Sequence, residues 1–504
     1  MSHVARSSLL IAFFFAMEKA LGFIRQVAIA RTFGLSESLD AFYASNNIPD
    51  LLFYLISGGA LALAFIPLLS ETLQNQGREE MWDLFSRMVN VIFLVGAVLS
   101  IVIALLAEKL VSWQLGIAPG FTPEQRQLVA DLMRLHLVST LLLSLGGLVA
   151  GSLQTNQHFF LPALALSMYD LGTLFGIFIL VPEHGPLGLP GFNLGVYGLV
   201  YGTITGSALF LLIQVPGLLR YGFRWTPALN LHHPGLQRML GLLGPRVLTI
   251  LSIQLTYIAQ DNIASRLHPG NVTALVYGWL FMQVPETLIG SAIATALLPT
   301  LSEQIARQEI DAYRQSLRSV LRVLLALTLP IAALLAVVLR PAVALLHFDQ
   351  AGSELVLWTA RIYLIGLAGH AILEVVVRAF YSQKDAITPL IAAGLTTLAF
   401  IILAMLFGFP YGAPGIALAN ALAFGGEALL LLFLFSRRVE GILQVRPTLL
   451  RAGAAGLLAA GVAYLITHLS LPFHPLLLAI AAGGIGLLLI LPFIWSEVKI
   501  LVRL

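Results

Sequence analysis

From Met88 to Ala107 the chain runs for twenty residues without an Asp, Glu, Lys or Arg, and similar apolar runs recur along its whole length. About 20 mainly apolar residues are what an α-helix needs to cross a bilayer. Inside the hydrocarbon every backbone polar group must be satisfied within the segment or by closing a barrel. Barrel strands would alternate polar and apolar residues. These runs are continuously apolar, so the expected fold is an all-α polytopic membrane protein. Only 11% of the 504 residues are charged, against about 25% in an ordinary soluble domain. That excludes a soluble globular protein, a disordered chain and a nucleic-acid binder with a basic face. There is no cysteine, hence no disulfide framework, thiolate metal site or thiol nucleophile.

About 14 spans are expected, near 8–32, 41–69, 86–107, 127–152, 159–181, 193–218, 238–265, 272–300, 318–345, 355–380, 388–408, 413–435, 448–469 and 475–496. Turns are expected at Pro182–Glu183–His184–Gly185–Pro186, Gly408–Phe409–Pro410–Tyr411–Gly412 and Leu471–Pro472–Phe473–His474–Pro475. Met1–Arg6 is short, and Glu18, Lys19 and Arg25 interrupt the apolar run after it, so no cleavable signal peptide is expected. Basic residues favour the cytoplasmic side. With the N-terminus and Arg6 inside, seventeen Lys and Arg fall in cytoplasmic loops or termini, and only Arg31, Lys109, Arg126, Arg266 and Arg340 fall opposite. The asymmetry supports an even number of spans with both termini cytoplasmic.

An internal repeat organises the chain. Residues 29–71 and 263–303 both begin Ile-Ala and share a Tyr (Tyr43, Tyr277). Both place a Pro before an acid (Pro49–Asp50, Pro285–Glu286) and close on Pro and Ser-Glu (Pro67 with Ser70–Glu71, Pro299 with Ser302–Glu303). Six spans separate the copies, so both have the same orientation. Parallel repeats build two-lobed transporters with the substrate site between lobes. The expected organisation is a first lobe at 1–225 (spans 1–6), a second at 236–440 (spans 7–12) and a C-terminal helix pair at 446–504.

Beyond the basic residues counted above with the loops, termini and span ends, six are assigned to the spans: Lys19, Arg25, Arg134, Arg246, Arg361 and Arg378. Each costs about 2.5–3.5 kcal/mol at a helix centre on insertion scales and usually faces a bundle interior or a water-filled cavity. The first two spans are the richest in polar groups, with Glu18, Lys19, Arg25, Gln26, Asn46, Asn47 and Asp50, and Asp40 at their junction. Such a cluster suits an anionic headgroup. Its alternative is local pairing of Glu18 with Lys19, with Arg25 or Arg31 snorkelling to an interface. On the tenth span His370, Glu374 and Arg378 share one face. That spacing favours an ion pair holding the second lobe over a metal site, which lacks a third ligand, and leaves a proton relay or ion-coupling path open. Asp261 on the seventh span is a candidate cation ligand. Asp170 and Glu427 are isolated acids with no assignable role.

No Gly-Lys-Ser/Thr phosphate loop, His-Glu-x-x-His or nucleophile elbow is present. No catalytic residue, metal site or cofactor is therefore expected, and the chain reads as a non-enzyme. Without a nucleotide site, transport would be driven by an ion gradient, by membrane potential or by product removal.

Several motifs together resemble the MurJ/MviN lipid II flippase family. They are Gly22–Phe23–Ile24–Arg25, Ala30, Phe33–Gly34, Asp40–Ala41–Phe42, Pro49–Asp50–Leu51–Leu52, Gly59–Ala60–Leu61 and Ala64–Phe65–Ile66–Pro67. The resemblance continues through Gly151–Ser152–Leu153–Gln154, Phe160–Leu161–Pro162–Ala163, Leu297–Leu298–Pro299–Thr300–Leu301–Ser302, Ala379–Phe380–Tyr381–Ser382–Gln383–Lys384–Asp385 and Thr388–Pro389. It implies a multi-pass protein of the bacterial cytoplasmic membrane, in the multidrug/oligosaccharidyl-lipid/polysaccharide exporter superfamily. It implies movement of the undecaprenyl-pyrophosphate-linked peptidoglycan precursor to the outer leaflet by alternating access.

The partners so implied are that lipid-linked precursor, the bilayer and a coupling monovalent cation, with no nucleic acid and a monomeric transporter. The resemblance places Arg25 at one family arginine position and Lys19 at another. With Asp40, Asn46, Asn47 and Asp50 these are the expected substrate-binding residues. Asp261, His370, Glu374 and Arg378 are the ion-coupling candidates. Phe53 and Leu280 stand where the family has arginines on the second and eighth spans, and Gly58 where some members have Glu. Thr396 and Thr397 on the eleventh span come without the acid of the family's sodium site. These departures leave open another lipid-linked oligosaccharide as cargo, or a degenerate homologue without lipid II transport.

Overall fold

The computed structural model describes residues 3–56, 59–184, 190–229, 234–468 and 474–503. Gly58, His232–His233, Gly185–Pro186 and Leu471–Pro472–Phe473 lie outside the described residues, as do the side chains of Arg6, Arg238 and Arg246.

The chain divides into two compact units, Met1–Arg266 and Leu267–Leu504. The first contains α1 (His3–Phe33), α2 (Glu37–Ser45), α3 (Asn47–Ile56), α4 (Gly59–Asn75), α5 (Arg78–Ser112), α6 (Pro123–Thr155), α7 (Phe160–Phe175), α8 (Val196–Leu212), α9 (Val215–Arg220) and α10 (Pro234–Ala264). The second contains α11 (Asn271–Glu286), α12 (Ala292–Ala306), α13 (Ile310–Ala344), α14 (Gln350–Ile365), α15 (Leu367–Ser382), α16 (Ile387–Tyr411), α17 (Ala413–Ser436), α18 (Arg446–His468) and α19 (Pro475–Arg503).

Ten of the described helical segments are long and apolar enough to cross a membrane, and eleven when the bent pair α14–α15 counts as one span. The remaining helical segments include α1, the α2–α4 run and α10. These three carry Lys19 and Arg25, Asn47 and Asp50, and Asp261.

Several expected spans are interrupted, each for a local reason. The second breaks at Asn46, whose backbone N–H turns back to the Tyr43 carbonyl at 3.2 Å. The eighth passes through a π-helical turn, Thr287–Ser291, directly after Pro285–Glu286. Both copies of the repeat are thus irregular beside their Pro-acid pair, and such turns gather at functional sites. The tenth bends by 43° between α14 and α15. At that joint Gly366 lies so close to α17 that a Cβ would stand 3.1 Å from the Ala421 Cα. The turn expected over residues 408–412 shrinks to Gly412, because α16 continues through Pro410 to Tyr411. Gly412 has φ +66°, and a Cβ there would meet the Asn271 Oδ1 at 2.9 Å. That same oxygen accepts the Ala413 N–H at 2.7 Å and starts α17.

In the first unit α7 and α8 meet through glycine. A methyl at Gly172 would stand 2.3 Å from the Gly206 Cα, the small-residue contact by which membrane helices associate. Helix α10 packs against α3 and α4. Its C-terminal end is tied to the α5–α6 connection: Asn262 Nδ2 donates to the carbonyls of Gln114 (3.0 Å) and Gly116 (2.6 Å), and Arg266 Nη2 to that of Gln114 (3.0 Å). The division between units accordingly falls after α10, at Arg266. In the second unit α13 packs on α18 and α19, while α17 packs on α14, α15 and α16. Tyr313, Phe380 and Phe435 stand at the centre of its core.

Candidate functional site

Arg25 lies in the C-terminal third of α1 and crosses to α7, where its Nη1 donates to Asp170 Oδ1 at 2.7 Å. The carboxylate is almost wholly enclosed (3% exposed) and the guanidinium partly so (22%). The guanidinium carbon also lies 5.5 Å from the centre of the Tyr169 ring, a cation–π placement. An unpaired carboxylate in this setting would be costly, so the pair accounts for Asp170. Lys19 behaves differently. Its ammonium lies 3.3 Å from Glu18 Oε2 and its side chain is 77% exposed. The local pairing open in the sequence is formed at Lys19, whereas Arg25 is drawn inward.

Around the break in the second span, Ser36 caps α2, its Oγ accepting the Leu39 N–H at 3.3 Å. Asp40 is buried in the first turn, and the Tyr43 hydroxyl donates to Gln26 Oε1 of α1 at 3.1 Å. Asn46 is the half-buried C-cap of α2. Asn47 opens α3 and donates from Nδ2 to Asp261 Oδ2 of α10 at 2.5 Å. This joins one expected substrate residue to one expected ion-coupling residue, 214 positions apart. Asp50 in the first turn of α3 is exposed. Phe53 is half-buried, edge-on to Tyr54 at 5.8 Å, and offers no charge to an anion.

In the second unit His370, Glu374 and Arg378 do not form one hydrogen-bonded chain. His370 Nε2 lies 3.0 Å from Asn420 Oδ1 on α17, and its ring stacks on Phe424 at 4.8 Å and meets Trp279 edge-on at 5.3 Å. Glu374 pairs with Arg378 one turn on, and Arg378 Nη2 also reaches Thr295 Oγ1 at 3.4 Å. The ion pair favoured by the spacing is present, within a single helix. Glu286 accepts from Ser291 at 3.2 Å and Thr287 at 3.4 Å. On α16, Thr396 interacts with the buried Glu427 of α17, so an acid reaches the eleventh-span threonines from the neighbouring helix. Leu280 is half-buried on α11.

Tyr169 and Asn420 are polar partners that the sequence did not single out, while Asp170 and Glu286 stood out there without an assigned partner. For Asp170 a signal existed: a lone acid in an apolar span needs a partner, and Arg25 was a base without one. Nothing in the spacing joins residues 145 positions apart.

Comparison with known proteins agrees with this architecture. The sequence profile of the lipid II flippase MurJ family matches residues 29–482. The lipid II flippase MurJ of Burkholderia cenocepacia is 32% identical over 477 residues, covering 90% of this chain and 88% of that protein. Among solved structures, a lipid II flippase MurJ in an inward closed conformation superposes with a TM-score of 0.79. Its identity is 24%, over 97% of this chain and 100% of that one. An inward-facing multidrug resistance MATE family transporter of the MOP superfamily shares the fold at a TM-score of 0.70 and 14% identity, over 84% of this chain and 95% of that one. With all but the two ends of its sequence matched, this chain is a polytopic membrane protein that belongs to the lipid II flippase MurJ family.

Proposed function

We propose that the chain moves lipid II, the undecaprenyl-pyrophosphate-linked peptidoglycan precursor, from the inner to the outer leaflet by alternating access. The task is to carry a pyrophosphate and sugar-peptide headgroup across about 30 Å of hydrocarbon while the isoprenoid tail stays in lipid. The observation that carries the reading is Arg25, an in-span arginine of a MurJ-family chain that spends one donor on Asp170. Its remaining N–H groups have no hydrogen-bond partner among the described residues. A guanidinium's planar fork suits phosphate oxygens and stays charged at all working pH values. Lys19, Asp40, Asn46, Asn47 and Asp50 complete the proposed headgroup site.

The eleven apolar spans, together with α1, the α2–α4 run and α10, make 14. An even number with the basic loops inside puts both termini in the cytoplasm. The proposed lobes follow the sequence repeat, 1–225 and 236–440, which assigns α10 to the second lobe although it packs within the first compact unit; the helix pair 446–504 follows, in a monomer of the bacterial inner membrane. Ion coupling is proposed for Asp261, held by Asn47, and for the His370–Glu374–Arg378 face, with a monovalent cation as partner. No covalent step is required, so the protein is proposed to be a transporter and not an enzyme. Phe53 and Leu280 favour a second reading, in which the cargo is another lipid-linked oligosaccharide. Complementation of a strain depleted of its own lipid II flippase separates the two. Growth supports lipid II; no growth despite normal membrane expression favours the other sugar lipid.

A further inference from the structure

Arg25 and Asp170 are joined by a single hydrogen bond, Nη1 to Oδ1. Arg340 and Glu354 show the contrasting arrangement, in which Nη1 and Nη2 each meet a different carboxylate oxygen. A two-pronged grip is the strong, geometrically locked form; a one-pronged grip is easier to exchange. Asp170 is the more enclosed partner, on the helix α7 that packs closely on α8 at Gly172. Arg25 is the more open one, with Tyr169 supporting one face of its guanidinium. The enclosed group is the anion and the more open group is the cation.

We propose that Asp170 is an internal competitor for Arg25: it holds the guanidinium when no headgroup is bound, yields it to a pyrophosphate, and takes it back to drive release. This rests on the reading of the chain as a pyrophosphate-lipid transporter and gives that site a second, anionic half. A transporter must let its cargo go, and a cavity arginine without a competitor would bind pyrophosphate too tightly to turn over. Asp170 does not touch the cargo. It is a positioning residue that acts through Arg25 and sets the balance between capture and release. The other charges facing it are Glu18 and Lys19 of α1, themselves paired, while α8 carries no Asp, Glu, Lys, Arg or His.

The test uses the full-length protein in detergent with a C15 isoprenyl pyrophosphate as binding probe, and lipid II transport in proteoliposomes. Asp170→Asn is expected to tighten probe binding about tenfold and, in transport, to lower KM and kcat together. Asp170→Glu, which restores a counter-ion, brings both back to within about twofold of wild type. In Arg25→Gln/Asp170→Asn the tightening disappears, because no guanidinium is released. In the wild-type protein, probe binding shifts a carboxylate band in the difference infrared spectrum; this needs no variant to fold. Unchanged or weaker binding by Asp170→Asn, or a wild-type carboxylate band that does not move, overturns the proposal. Tightened binding by Asp170→Asn, together with a wild-type protein that moves no lipid II, supports the exchange and removes lipid II as cargo. Normal lipid II transport with unchanged binding in Asp170→Asn removes the exchange and leaves the cargo standing.

Discussion

The contact between α7 and α8 makes one prediction that can be worked from geometry. At Gly172 a methyl would lie 2.3 Å from both the Cα and the N of Gly206, whereas ordinary contact begins at 3.4 Å. The shortfall is about 1.1 Å, and both neighbours are backbone, so no side-chain rotation relieves it. Either the helices part or α7 distorts, and overpacking of this kind costs roughly 1–3 kcal/mol. At roughly 2–4 °C per kcal/mol for a unit of this size, Gly172→Ala should lower the melting temperature in detergent by several degrees. It should also impair transport, because α7 carries Asp170. The control is the same substitution at Gly453 of α18, where nothing lies within 4 Å of the added methyl. There Ala replaces Gly in a helix interior and should stabilise by roughly 0.5–1 kcal/mol. The assay is thermal unfolding of the three purified proteins followed by tryptophan fluorescence. If Gly172→Ala melts at or above the temperature of Gly453→Ala, the close approach of α7 and α8 is wrong.

Three further outcomes are expected. Asn47→Ala removes the donor to the buried Asp261 carboxyl, and a hydrogen bond contributes about 0.5–1.5 kcal/mol; amide exchange in α10 should quicken, and unchanged exchange would contradict the docking of α10 on α3. Glu497 is 1% exposed and receives both Arg322 and Arg451 at 2.7 Å, so Glu497→Gln should destabilise α18 and α19 by up to about 3–5 kcal/mol, seen as earlier proteolysis of the C-terminal pair. Burial acts to raise the Asp385 carboxyl, but hydrogen bonds from the Thr388 N–H and hydroxyl and from Arg438 outweigh it and hold it down to about 2. A depressed carboxylate contributes stability above its unfolded value near 3.9 and loses it as pH falls toward 2; the stability gap between wild type and Asp385→Asn should therefore be constant from pH 7 to about 5 and shrink below about pH 4.

What the sequence made legible follows from short-range pattern. Continuous apolar runs announced an all-helical membrane chain. The Pro49–Asp50 and Pro285–Glu286 pairs marked two segments that are both irregular in the structure. The spacing of Glu374 and Arg378 foretold their ion pair. Pairings across long separations were hidden, because apolar periodicity names the face of a helix and not its neighbour. Arg25 with Asp170 and Asn47 with Asp261 are of this kind. Lys19 and Arg25 looked alike as in-span cations, and only packing separated them: one has Glu18 beside it, while the other finds its acid on α7. The bend at Gly366 was equally hidden, since it depends on how closely α17 approaches.

The central claim is that Arg25 holds the headgroup of a lipid-linked cell-wall precursor. The most direct measurement is growth of a strain depleted of its lipid II flippase and supplied with the wild-type chain, Arg25→Ala or Arg318→Ala, each at matched membrane levels. Growth is expected with wild type and with Arg318→Ala, whose substitution lies on α13 at the expected cytoplasmic start of the ninth span, and none with Arg25→Ala. Full and equal growth with Arg25→Ala would contradict it.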